Sequence, residues 1–330
     1  MTSVFEPLIE RALQGVTTRS TCTFGPIPLD LRSDVAADLE EIGTHLSPCT
    51  DPTWRPLTVV TTTTDTIPRA DVPESLRPTE GRTSVAFDGD VTAYTAGHEN
   101  TTWFLDASRS LAIRWIARID DLPLWEQVNP LRAAGRWWSV QHHAAMIHCG
   151  AVGDERGAVL LVGDAGAGKS TTSLACLGSN LDVIGDDFCF VEADPAATTA
   201  DVHPTYRLAK LDDRALAMLP RLRERVVGTG MRGKSLIDIG AAPLATRPVR
   251  AICHVAQEPG GSTRFEQIGR AEAIKATAPS TVIQARLVER ETLAGVMTAA
   301  RRAPTFRMHV ADVTEVPAAL DRFLDQVSDT

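Results

Sequence analysis

Eight consecutive residues, Gly163, Asp164, Ala165, Gly166, Ala167, Gly168, Lys169 and Ser170, fit the pattern G-x-x-x-x-G-K-[ST]. Each part has a use in holding a chain of phosphates. Glycines let the backbone wrap so that successive N–H groups face inward. A helix opening near Lys169 adds the positive end of its dipole. Lys169 reaches the outer phosphates, the Ser170 hydroxyl ligates Mg²⁺, and Thr171 continues the cradle. The motif follows an apolar strand at 158–162 and opens a helix with an apolar face, which is the context that distinguishes a phosphate loop from a glycine-rich turn.

An acidic pair comes soon after. Asp186 and Asp187 stand 17 and 18 residues beyond Lys169, leaving space for one short helix and one strand. In most P-loop NTPases the carboxylate on the metal side lies much farther along. The flanking residues Val183, Ile184, Phe188 and Phe190 argue for a buried functional pair rather than a solvated strand end. Adjacent carboxylates on a strand point to opposite faces. One can then orient water or Mg²⁺ while the other meets the γ-phosphate and an incoming hydroxyl. A carboxylate that accepts a hydroxyl proton is what phosphoryl transfer to an alcohol uses.

Together, His148, the glycine-rich loop and the acidic pair resemble the catalytic core of the HPr kinase/phosphorylase family, bacterial enzymes that phosphorylate a serine of a phosphocarrier protein. Phosphoenolpyruvate carboxykinase is a distant structural relative of that family. His148 precedes Lys169 by 21 residues and the acidic pair follows it by 17, the spacing of the family. The likeness covers roughly residues 140 to 240, with a looser resemblance beyond. It implies ATP and Mg²⁺ as cofactors, with Lys169 on the β- and γ-phosphates and Ser170 on the metal. It also implies Asp186 as the base toward the acceptor, Asp187 as a metal or water partner, and His148 beside them, although which Asp takes which role stays open. The segment GMRGKSLIDI resembles the family's Glu-Ile-Arg-Gly stretch through Arg232 and Gly233, but Gly230 stands where the family has an acidic residue. The later arginine-bearing loop of the reverse phosphorylase reaction is not recognisable, and the N-terminal third does not resemble that of HPr kinase. The broader group of HPr kinase-like proteins, some of which modify peptides, is the better comparison.

These residues need a scaffold. The chain from Ala145 onward alternates strands and short helices, and the fold class expected is α/β: an HPr kinase/phosphoenolpyruvate carboxykinase-like C-terminal domain over 126–330, with a smaller mixed α/β domain over 1–125 that positions a substrate or partner. MIHCGAV and LDVIGDDFCFVEAD read as strands, STTSLACL as a short helix ending at Gly178, and LPLWEQVNPLRAAGRWWSVQHHA as helical. The segment RERVVGTGMRGKS, with Arg223, Arg225, Arg232 and Lys234, reads as a basic glycine-punctuated loop. Arg232 and Lys234 are its candidates for closing over phosphates or acceptor. The N-terminal residues Val4, Phe5, Leu8, Ile9, Ala12 and Leu13 follow a helical period.

Composition narrows the function further. The 330 residues carry a formal net charge of −9, which argues against a nucleic-acid partner. No apolar stretch approaches the ~18 residues that span a bilayer, and the acidic N-terminus lacks the basic start of a signal peptide, so no membrane partner and a cytoplasmic location are expected. The six cysteines form no C-x-x-C pair and read as buried core residues. Homo-oligomerisation is left open. The reading that follows is a kinase acting on Ser or Thr of a small protein or peptide. A kinase for a small hydroxylated metabolite and a nucleotide-binding regulatory module without transferase activity are the alternatives. A mere binder has no need of a base beside the phosphates, whereas a separate N-terminal domain suits the docking of a chain.

Overall fold

Apolar residues at helical spacing make Glu6–Gln14 (α1) an amphipathic helix with Leu8, Ile9 and Ala12 buried. The computed structural model describes residues 3–240 and 242–328, the side chains of Ala37, Glu99 and Met231 excepted. Seven strands follow: Thr18–Phe24 (β1), Ile27–Ser33 (β2), Leu57–Thr62 (β3), Thr83–Asp88 (β4), Val91–Ala96 (β5), Thr101–Asp106 (β6) and Leu111–Ile116 (β7). They form one sheet in the order β1-β2-β3-β7-β6-β5-β4. β2, β3 and β7 run parallel, and Ala36–His45 (α2) lies in the crossover from β2 to β3 that a parallel pair requires. Phe5 and Ile9 pack with Val60, Phe104, Ile113 and Trp115 to form the core of this layer. Each such side chain contributes roughly 1.5–3 kcal/mol on burial.

Contacts divide the chain into two units, 1–46 with 52–134 and 47–51 with 135–330. The boundary expected after residue 125 lies later, because Leu124–Val128 (α3) belongs to the first unit and places Glu126 against Arg114 at 3.6 Å. The single helix expected over this stretch is two. Pro130 disfavours helical geometry at Asn129, Leu131 adopts a left-handed φ of 60°, and Arg132–Val140 (α4) starts anew.

The second unit contains Ala144–Ile147 (β8), Gly150–Asp154 (β9), Gly157–Val162 (β10), Lys169–Leu174 (α5), Asp182–Gly185 (β11), Cys189–Glu192 (β12), Asp201–His203 (β13), Leu208–Leu211 (β14) and Asp213–Met218 (α6). Then come Val226–Thr229 (β15), Ser235–Asp238 (β16), Arg247–Gln257 (β17), Arg264–Gln267 (β18), Arg270–Val282 (α7), Glu289–Arg302 (α8), Thr305–Val310 (β19) and Val316–Ser328 (α9). The main path is β11-β9-β10-β17-β13-β12-β8, with β19 and β18 extending from β17. β10, β17 and β19 are parallel neighbours at its centre. The chain is thus mixed α/β, with several mixed sheets.

The path curls. β11 begins it and β12 lies next to its far end, yet only residues 186–188 join them. Four Cα steps span at most about 14 Å, so the two ends must come together. MIHCGAV behaves the same way, splitting into β8 and β9 at residues 148–149. Since β8 pairs with β12 and β9 with β11, the result is an antiparallel ribbon broken at the same level in both strands.

Beside this ribbon, Arg156 in the β9–β10 turn bonds Asp154 and reaches Asp325 of α9 at 2.6 Å, with Asp321 also in contact. The group is partly exposed and solvent-screened, so Arg156→Ala is expected to cost only about 1 kcal/mol, read as a melting point roughly 2–4 °C lower. No change in thermal denaturation would show the network to be silent. All six cysteines are free and five are buried. Among the described residues no helix is long and apolar enough to cross a membrane.

Candidate active site

β10 is buried along its whole length, and its end delivers Gly163 to the rim of the central sheet. The chain then wraps through three glycines at positive φ, Gly163 at 146°, Gly166 at 84° and Gly168 at 95°. Gly168 has a second reason to lack a side chain, since a Cβ there would lie 2.3 Å from Gln257 Nε2. That amide donates to the Ala167 carbonyl at 3.3 Å and braces the loop. Gly168→Ala therefore meets backbone strain and displaces the Gln257 amide from its brace, and should weaken binding of inorganic triphosphate or ADP by at least about tenfold. Unchanged affinity in a calorimetric titration would show that the loop shape is not used.

Lys169 opens α5 and folds back over the loop, its Nζ donating to the carbonyls of Gly163 at 2.8 Å and Asp164 at 3.1 Å. It is 8% exposed. Burial holds its pKa below the ordinary lysine value, and the nearby Asp186 and Asp187 oppose that shift. The helix over 170–177 is shorter than expected: α5 ends at Leu174 and the chain turns through to Gly178. A six-residue helix sums few peptide dipoles, so the main positive charge at the loop is that of Lys169.

Asp186 and Asp187 do not lie on a strand. They form the bend between β11 and β12, with Asp187 at a left-handed φ of 69°. Here the ribbon's ladder is interrupted, and the freed residues turn toward the loop. Their environments differ sharply. Asp186 is 2% exposed and accepts from Ser173 Oγ at 3.0 Å and from the Ser170 hydroxyl, but its Oδ2 is buried without a partner. Burial and the adjacent Asp187 push its pKa up, against the pull of the two serines. Asp187 is partly exposed, with Oδ2 2.9 Å from Lys210 Nζ and Oδ1 3.3 Å from His148 Nε2. Burial alone would raise its pKa, but Lys210 and His148 outweigh burial and hold it far below the usual carboxylate range.

His148 sits in the matching break between β8 and β9. Its backbone N–H donates to Thr281 Oγ1 at 3.1 Å, and Gln284 Nε2 lies 3.5 Å from its ring Nδ1. The other ring nitrogen, Nε2, faces Asp187.

The basic segment is not an irregular loop. Val226–Thr229 and Ser235–Asp238 pair as a hairpin completed by β14, in a small sheet of order β14-β16-β15. Lys234 lines the cleft, whereas Arg232 is exposed in the hairpin turn at a left-handed φ of 56°. Lys210 of β14 is the cation that sequence reasoning missed. Its signal was a lysine inside the apolar run LAKL, where a strand otherwise buries Leu208, Ala209 and Leu211.

Lys169, Ser170, Asp186, Asp187, His148 and Lys210 line one cleft of about 280 Å³, together with Ala165, Gly166, Gly168 and Thr171. On the other flank of the loop a recess of about 600 Å³ shares Gly166, Gly168 and Thr171 and adds Met218, Pro259 and Val313. Among the described residues, no group of three or more His, Cys, Asp or Glu is gathered as a metal site. Ser170 and Asp186 nevertheless suit Mg²⁺, which keeps few protein ligands and completes its shell with phosphate and water. The orphaned Asp186 Oδ2 is the atom such an ion would satisfy. Compared with protein-family models and with curated proteins, the sequence matches neither.

Proposed function

We propose that the protein is a P-loop kinase of the HPr kinase-like type, transferring the γ-phosphoryl group of ATP to a hydroxyl, that of Ser or Thr in a small protein or peptide. The observation that carries this reading is the division of labour between two adjacent carboxylates beside the glycine-rich loop. Asp186 is tied to Ser170 and left with a buried, unpartnered oxygen, while Asp187 is ionised, reachable and oriented by two cations or donors. Paired acids driven apart in pKa by their surroundings commonly divide metal and proton work between them.

The geometry favours the reverse of the roles implied by resemblance. Asp186 and Ser170 hold the metal side, and Asp187 accepts the proton of the acceptor hydroxyl. Bound Mg²⁺ would supply charge neutralisation on the phosphate oxygens. Lys169 exchanges its two loop carbonyls for phosphate oxygens. Lys210 and Lys234 add positive charge at the mouth of the cleft, and His148 fixes the Asp187 carboxylate. The nucleoside occupies the recess on the other flank, where Met218, Pro259 and Val313 offer apolar contact.

The test is an intact-mass search. The full chain is incubated with ATP, Mg²⁺ and fractions of a cell extract, and the acceptor is sought as a species heavier by about 80 Da, the mass of one phosphoryl group. ADP release coupled to such a species supports the kinase. Tight ATP binding with no acceptor in any fraction and no ADP release would leave a nucleotide-binding module instead.

A further inference from the structure

β4 ends the sheet of the first unit and, among the described residues, pairs with β5 alone. The ladder between them is regular, from Thr83 opposite Ala96 to Asp88 opposite Val91, with no bulge. A two-residue turn closes it, Gly89 and Asp90, with Gly89 at a φ of 60°. Such a turn makes Asp88 and Val91 a hydrogen-bonded pair, and bonded and unbonded pairs alternate from there. The Gly97 N–H donates to the Arg82 carbonyl at 2.8 Å, which continues that alternation beyond the strand. Ser84, Ala86 and Asp88 therefore direct their backbone groups to β5, while the N–H and C=O groups of Thr83, Val85 and Phe87 point away from the sheet. The side chains divide in the same rhythm. Ala86 packs against the core cluster that holds Phe5, whereas Val85 is 42% exposed and Phe87 75%. A bare edge is a template for another strand, and proteins usually guard it with lysine, proline or a bulge. β4, with the sequence TSVAFD, carries none of these.

We propose that the occupant of this edge is a second copy of the chain, the two β4 strands pairing antiparallel about a two-fold axis at Ala86. The strand has a basic residue, Arg82, just before it and acidic residues, Asp88 and Asp90, at its end, so an antiparallel copy is its electrostatic complement. About this axis the exposed Arg82 faces the partner's Asp90, itself exposed, and Ser84 faces the partner's Asp88. Val85 lies opposite the partner's Phe87, which covers both exposed apolar side chains and joins residues whose free backbone groups match. Each of these pairs occurs twice. Moving the axis to Val85 instead sets Thr83 against the partner's Phe87 and Glu80 against the partner's Asp90, an apolar ring beside a hydroxyl and two acids together. A six-residue edge is short beside the about 20–30 residues a side of a standard interface, so a dissociation constant in the micromolar range is expected. This inference stands on the first unit alone and does not depend on the kinase reading.

The experiment is sedimentation velocity of the full chain at about 1 to 100 µM, where a dimer should grow in with concentration. Phe87→Lys places a charge on each new strand of the ladder and should weaken the dimer by at least about tenfold. Val85→Pro removes an N–H that β5 does not use, a change an edge strand tolerates, and should abolish pairing. If that variant fails to fold, Phe87→Lys decides. Arg82→Asp should weaken the dimer several-fold, and adding Asp90→Arg should restore it. Mild oxidation reads the register: Ala86→Cys should form an intermolecular disulfide across the axis, and Val85→Cys should cross-link no more than the parent chain. Three results would each overturn the proposal: a monomer throughout this range, even one whose edge takes up an extended peptide of another protein; a dimer indifferent to Phe87→Lys and Val85→Pro; or cross-linking through Val85→Cys in place of Ala86→Cys.

Discussion

Lys169→Met is expected to abolish phosphoryl transfer and to weaken binding of ATP by at least an order of magnitude. The side chain is nearly buried, and its ammonium lies on the two carbonyls at the mouth of the loop. A unit charge about 4 Å from a phosphate oxygen is worth ~4 kcal/mol at the effective dielectric of a partly covered site, a factor of several hundred in rate or affinity. Methionine preserves much of the stem, so packing changes little. It also relieves the cost of burying an ammonium, whose pKa is already held down by that burial. The unliganded variant should therefore melt no lower than the parent, while the rise in melting temperature that ATP and Mg²⁺ give the parent should disappear. Wild-type turnover in this variant would remove the phosphate-loop assignment and the kinase reading with it.

The shape of the loop could be read from residues because it is local: Gly163, Gly166 and Gly168 set it through backbone torsion within a run of eight positions. The α/β character and the early helix could be read for the same reason, since period and burial agree along α1 and β10. The bends were not visible. MIHCGAV and LDVIGDDFCFVEAD carry unbroken apolar character, and nothing local says that each is two strands serving opposite ends of a curled path. That break is a tertiary event: it occurs where β8–β12 pairing gives way to β9–β11 pairing, and it alone brings His148 to Asp187. Lys210 was hidden for a related reason. Its partner is 23 residues away in the bend between two strands of a different sheet, and a lone lysine in a strand has no spacing to betray it. The basic segment misled in the other direction, because glycines that suggest a loose loop here belong to a paired hairpin and its turn.

Substituting the two acidic residues one at a time should separate their roles and give effects of opposite kind. Asp187→Asn removes the ionised, reachable carboxylate and is expected to lower the transfer rate by about 10²–10⁴, the range typical of losing a general base, with ATP affinity nearly unchanged. Asp186→Asn should instead weaken Mg²⁺-dependent nucleotide binding, seen as a loss of the extra affinity that Mg²⁺ confers over EDTA. Its effect on the unliganded fold distinguishes it further. A folded-state pKa above the unfolded value means that the native chain binds this proton more tightly than the unfolded chain does. Stability on this account is fully present below the unfolded carboxylate pKa and is lost as pH rises through the folded value. Ionising the buried Asp186 carries a cost in the native fold, and its unpartnered Oδ2 adds to that cost. A neutral amide removes the charge, so Asp186→Asn should raise the melting temperature of the free protein, by roughly 2–4 °C for each kcal/mol relieved in a unit of this size. Asp187 has the opposite sign: its pKa is depressed, its ion pair with Lys210 stabilises the fold above the unfolded carboxylate pKa, and Asp187→Asn should lower the melting temperature at neutral pH and lose that difference in strong acid. Normal transfer in both variants would end the kinase reading. A slow, tightly binding Asp186→Asn beside a metal-blind Asp187→Asn would return the base to Asp186 and the metal to Asp187.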